Sequence, residues 1–178
     1  MNYLGHTPSL DNKDVGYINT HSAFRFVELS DIATKYKNFV VAAFVRNPFD
    51  RLVSFWAHKI NTGVCNRANY TKYGFIQHMD FDDALKIILR NPYANIHFAP
   101  QVSLLMHGNK LLPNFLGKYE NLTSDWKSLV KIASIKLPSL ERLNAYQHES
   151  YRHYYDANSI DRVSRIYAED LKTFGYEF

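Results

Sequence analysis

The stretch NFVVAAFV, residues 38 to 45, is a continuous β-favouring run that ends at Arg46 and passes almost at once into a helical pattern starting at Pro48. A strand with apolar residues on both sides, instead of alternating ones, must be covered on both faces. That is the pattern of a parallel sheet lying between helices. Pro48 suits the first helical turn, where its missing N–H costs nothing. Phe49, Leu52, Val53, Trp56 and Ile60 then share one face, and Gly63 suits the stop. This strand-to-helix junction constrains the fold more than any other feature.

The rest of the chain extends the pattern. Residues 22 to 37 read as a helix with Phe26, Leu29, Ala33 and Tyr36 at helical spacing, and residues 61 to 79 as an exposed loop. DFDDALKIILR reads as a helix whose acidic first turn complements the dipole, and FAPQVSLLMHG as a helix closed by Gly108. LLPNFLGKYENL holds a short strand, and SDWKSLVKIA is a helix capped by Thr123 or Ser124. A last helix over residues 158 to 174 aligns Ile160, Val163, Tyr167, Leu171 and Phe174, with Gly175 at its stop. Two strands and about six helices predict a helix-rich α/β domain with a small parallel sheet. No repeat or linker divides residues 1–178, so a single domain is expected.

Charge and cysteine content narrow the function. A formal charge of +4 and a pI of about 9.0 favour an anionic ligand, yet no Lys/Arg block is long enough for a nucleic-acid arm. The single cysteine, Cys65, can form no intrachain disulfide. His148 and His153 do not make a metal site, and no metal is expected. The N-terminus has neither the basic nor the apolar region of a secretory signal, and no apolar run is long enough to span a membrane. A soluble protein, cytoplasmic or peripherally membrane-associated, is the expectation. The sequons at Asn69 and Asn121 matter only in a secretory setting.

FVRNPFDRLVSFW, residues 44 to 56, concentrates polar chemistry at the junction. A strand feeding a helix aims the helix's free N–H groups at the intervening loop and makes it a ready anion site. Arg46 stands at the strand end, where its planar fork can grip two phosphate oxygens. Ser54, on the second turn, can add a hydroxyl. Arg51 either pairs with Asp50 or reaches the ligand. The alternative is that Arg46 and Arg51 are surface charges and Asp50 a first-turn helix residue.

The segment resembles the motif of the membrane-bound and carbohydrate sulfotransferases, F-x-R-x-P-[FWY]-[DE]-R-L-[VL]-S-x-[YFW]. INTHSAFRF, FDDALKIIL, HFAPQVSLL, FLGKYENLTSDW and the closing YRHYYDANSIDRVSRIYAEDLKTFGYEF resemble further segments of that family in the same order. The resemblance covers roughly residues 18 to 178. It implies a helix-rich, three-layer fold like that of P-loop NTPases. It also implies a co-substrate, 3′-phosphoadenosine 5′-phosphosulfate (PAPS), and a hydroxyl-bearing acceptor such as a carbohydrate. By the same implication Arg46 and Ser54 bind the donor's 3′-phosphate, and Arg51 supports the loop or the phosphate. The family places a His or Glu base shortly before the motif strand, which makes His21 the candidate general base or, alternatively, a helix N-terminal residue. Lys118 either approaches the donor nucleotide or solvates a strand end. His97 and Gln101, placed on one helical face, either contact substrate or form a polar helix edge.

The family's N-terminal strand, its P-K-x-G-x-[TS] loop for the 5′-phosphosulfate and the first helix are not found in the sequence. The expectation is an N-terminally incomplete domain that binds the donor weakly and transfers sulfate poorly. The alternative function is a degenerate member that binds 3′-phosphoadenosine nucleotides or serves as an interaction module. A nucleotide kinase relative does not fit a chain without a Walker loop.

Overall fold

The computed structural model describes residues 28–36, 38–62, 70–134 and 148–178. The first described helix, α1 (Leu29–Thr34), is shorter than the one expected over 22 to 37: Glu28 before it is extended (φ −67°, ψ 146°) and it ends at Thr34, while residues 22–27 and 37 lie outside the described ones. Strand β1 (Ala42–Val45) is shorter than the apolar run that announced it. Phe39 and Val40, at the start of that run, are exposed instead of paired.

Helix α2 (Pro48–Phe55) begins where the proline predicts. Asn47 caps it by accepting the Phe49 N–H on its side-chain oxygen at 3.0 Å. The helix continues without a break as a wider π-helical turn, Trp56–Asn61, which is anchored by the indole N–H of Trp56 donating to the Met79 carbonyl. Helix α3 (Phe81–Arg90) is capped by Asp80, which accepts the Asp83 N–H at 2.8 Å. Phe49, Leu52, Val53, Phe55 and Ile60 then pack on Phe81, Ala84, Leu85 and Ile88 of α3, with Phe98, Val163 and Tyr167 closing the core. Each Val, Leu, Ile or Phe side chain fully buried here contributes about 1.5–3 kcal/mol.

Two further expected helices are cut short. Pro100 biases Ala99 away from helical geometry, so α4 starts only at Gln101 and runs to Leu105 (Gln101–Leu105). His97 therefore lies in the preceding turn, bonded to Asn95, and does not share a helical face with Gln101. Beyond α4 the chain extends into β2 (Met106–His107), which pairs antiparallel with β3 (Lys110–Leu111). Gly108, expected as a helix stop, supplies a left-handed turn residue (φ 58°) of this hairpin, followed by Asn109. The second shortened element is the C-terminal helix, which breaks at Tyr167 into α6 (Ala157–Ile166) and α7 (Ala168–Phe174). The Tyr167 hydroxyl donates to the Phe98 carbonyl at 2.6 Å, and its backbone leaves helical geometry at φ −100°, ψ 21°.

Strand β4 (Phe115–Lys118) pairs in parallel with β1, Ala42 opposite Phe115 and Val45 opposite Lys118. The Phe44 ring covers Gly117, where a Cβ would meet ring carbon Cε1 at 2.3 Å; a glycine is required for that close approach. Helix α5 (Leu122–Ala133) uses neither Thr123 nor Ser124 as its cap. A 3₁₀ turn, Tyr119–Asn121, leads into it, and the Ser124 hydroxyl donates to the Asn121 carbonyl. The architecture is a helix-rich α/β fold with a small parallel sheet, as the sequence predicts. A second small cluster, Val45, Val102 and Phe174, joins the sheet to α4 and α7.

Candidate functional site

The parallel register builds the site directly. Because Val45 lies opposite Lys118, the residues that follow them, Arg46 and Tyr119, leave the sheet side by side. The guanidinium carbon of Arg46 sits 4.4 Å from the centre of the Tyr119 ring. Its Nε donates to Asp50 Oδ2 at 2.6 Å, a pair at the start of α2 with side chains about one fifth exposed. Both Nη groups of Arg46 lack a hydrogen-bond partner among the described residues. They stand at the carboxyl end of a parallel strand and beside the first turn of a helix, where open α/β sheets place their ligands.

The backbone around Arg46 is held from three directions. Its N–H donates to Gln101 Oε1 at 2.9 Å, and Gln101 Nε2 donates to its carbonyl at 2.8 Å. The next N–H, of Asn47, donates to Glu120 Oε1 at 2.8 Å. The Tyr176 hydroxyl donates to Glu120 Oε2 at 2.8 Å and lies 3.2 Å from the Val45 carbonyl. Burial and the Glu120 carboxylate push the Tyr176 phenol up, so it stays protonated and a donor. Asn47 Nδ2 ties in the C-terminal segment by donating to the Glu177 carbonyl at 2.8 Å. Phe178 packs edge-on against Phe49, Tyr151 and Tyr155.

Behind this lies a second layer. Asp170, fully buried, accepts the first two N–H groups of α4, from Gln101 and Val102, at 2.7 Å each. Arg51 donates to the Ala99 and Ile96 carbonyls at 2.6 Å each. Burial pushes the Asp170 carboxyl up and the Arg51 guanidinium down, and each charge counters the other's shift. The turn before α4 and its N-terminus are thus fastened by a cation and an anion.

Of the residues singled out in the sequence, Arg46 stands at the junction with both Nη groups unpartnered among the described residues. Asp50 pairs with Arg46, not with Arg51. Ser54 lies one helical turn beyond Asp50 and is half-buried. Arg51 points inward at two carbonyls. Lys118 extends the other way: its Nζ donates to the Gly175 carbonyl at 3.2 Å and sits 4.4 Å over the Tyr176 ring. His21 lies outside the described residues. His148, set aside as a metal ligand, brings Nε2 to 3.8 Å from Asp50 Oδ1. Sequence reasoning did not single out Glu120, Asp170 or Tyr176, and it set Gln101 on a helical face shared with His97, whereas Gln101 is buried and bonded to the Arg46 backbone. Their only signal was that each sits inside a segment of the family pattern.

An open cleft of about 790 Å³ adjoins the junction, lined by Asn47, Tyr151, Arg152, Lys172 and Tyr176 among others. No helix among the described residues is long and apolar enough to cross a membrane, and none of their His, Cys, Asp and Glu side chains form a group of three or more that could hold a metal ion.

No curated protein and no solved structure matches the chain. The profile described as the Sulfotransferase family matches residues 4–177, reaching further towards the N-terminus than the motif segments do. A match over nearly the whole chain, together with family segments that meet around one arginine, establishes that this chain belongs to the sulfotransferase family.

Proposed function

We propose that the chain transfers a sulfuryl group from PAPS to a hydroxyl of a carbohydrate or similar acceptor, with the donor's 3′-phosphate seated at Arg46. The observation that carries this reading is the free edge of the Arg46 guanidinium. Asp50 occupies Nε and Tyr119 supports one face, while the two Nη groups point to no protein partner among the described residues. A fork with two parallel donors suits a phosphate. Ser54, on the same helical side as Asp50, adds a hydroxyl donor. Arg51 acts behind the site by holding the turn before α4, and Lys118 steadies the C-terminal segment.

In the reaction the acceptor oxygen forms its bond to sulfur while the bond from sulfur to the donor's 5′-phosphate breaks. His21 takes the proton of the acceptor hydroxyl. The donor supplies the activated sulfuryl group and leaves as 3′,5′-ADP. No step calls for a metal.

Calorimetric titration of 3′,5′-ADP into the wild-type chain and Arg46→Ala tests the reading. Loss of two charge-assisted bonds predicts about 100-fold weaker binding in the variant. Equal affinity in both proteins overturns the assignment. A parallel transfer assay with PAPS separates the two functional readings, because affinity without transfer marks a nucleotide-binding module.

A further inference from the structure

Arg46 is the one residue in the junction whose own N–H and carbonyl are both bonded to a single side chain, Gln101. Its neighbours on either side are held by a second device: Glu120 accepts the Asn47 N–H, and Tyr176 connects Glu120 to the Val45 carbonyl. Secondary structure supplies none of these bonds, since β1 ends at Val45 and α2 begins at Pro48. Without them, the peptide groups around Arg46 would have to find water or move.

We infer that Gln101 and the Glu120–Tyr176 pair are positioning residues that fix the backbone carrying Arg46, so that its Nη edge is aimed before any ligand arrives. The inference rests on the proposed anion site at Arg46. Glu120 is the informative member. Its two oxygens serve different partners, and its carboxylate adds negative charge beside a site meant for an anion. A charge that opposes the ligand is compatible with the site only if its geometry is worth more than its field. Glutamine in its place keeps an oxygen for the Asn47 N–H and offers an N–H to the Tyr176 oxygen, which frees the tyrosine proton for Val45.

The test is 3′,5′-ADP affinity by calorimetry for wild type, Glu120→Ala, Glu120→Gln, Tyr176→Phe and Arg46→Ala, each checked for cooperative urea unfolding. Glu120→Ala and Tyr176→Phe are expected to bind about tenfold more weakly, as loss of one or two directed hydrogen bonds predicts. Glu120→Gln is expected to recover wild-type affinity or better. A merely structural glutamate would lower stability without moving the affinity of folded molecules. If Arg46→Ala abolishes binding while Glu120→Ala and Tyr176→Phe bind like wild type, the positioning role is overturned and the anion site stands. If Arg46→Ala binds like wild type, or the wild-type chain does not bind, both readings fall. Should Glu120→Ala fail to fold, Tyr176→Phe, which removes one oxygen, decides the question by itself.

Discussion

Asp170→Ala is expected to destabilise the fold by about 3–5 kcal/mol, a large part of the 5–15 kcal/mol that holds an ordinary domain together. The carboxylate accepts the N–H groups of Gln101 and Val102 at 2.7 Å and is fully buried, so alanine leaves both donors without a partner in a place water does not reach. It also leaves Arg51 without the anion that counters its burial. Asp170→Asn keeps one acceptor oxygen but turns an amide N–H₂ towards the second donor, and is expected to cost less than alanine does. Urea denaturation of the three proteins checks the order: wild type above Asn above Ala. An alanine variant within 1 kcal/mol of wild type, about the cost of a single ordinary hydrogen bond, would show that water or a rearranged turn satisfies the α4 N-terminus.

Arg51→Met is expected to cost about 3 kcal/mol or more. Methionine preserves most of the apolar stem but removes two charge-assisted bonds to the Ala99 and Ile96 carbonyls. Lysine is not a substitute, because one ammonium cannot span two carbonyls as the fork does, and Arg51→Lys should recover less than half of the loss. The same variants separate two roles for this residue. If Arg51 acts behind the site, the folded fraction of Arg51→Lys binds 3′,5′-ADP within a few-fold of wild type. A 100-fold loss with intact stability would make Arg51 a ligand of the phosphate. Combined with Asp170→Ala, the cost should fall short of the sum, because each single variant already leaves the other charge uncompensated.

Local chemistry was legible in the sequence, and long-range chemistry was not. The start of α2 at Pro48, the acidic first turn of α3 and the left-handed Gly175 after α7 all follow from residues beside them. The break at Tyr167 left no such mark. Neither glycine nor proline stands there, the apolar stripe continues through it, and the hydroxyl of Tyr167 is bonded to Phe98, 69 residues away. The hairpin after α4 did carry a signal, the Gly108–Asn109 pair, which the apolar periodicity of FAPQVSLLM masked. At the site, Arg46 stood out because its motif is dense. Glu120 and Tyr176 could not be assigned by any spacing rule, since what brings them to Arg46 is the parallel register of β1 with β4 and the return of the C-terminal segment. Arg51 shows the limit from the other side: its place in the motif left support of the loop and of the phosphate both open, and its position in the helix turns it towards the Ala99 and Ile96 carbonyls.

The bonds that hold Arg46 and Asn47 reach across 55, 73 and 130 residues of chain. A peptide cut from residues 44 to 56 would carry the arginine, its Asp50 partner, the serine and the helix start, yet not Gln101, Glu120 or Tyr119, which hold the arginine's backbone and face. Its guanidinium would sample many directions, and a phosphate would have to meet the entropy of ordering it. On the proposed reading of Arg46 as an anion ligand, the motif is therefore not a portable element: the groups that aim the arginine come from distant parts of the chain, and grafting residues 44 to 56 onto another strand–helix turn would transfer the pattern without them.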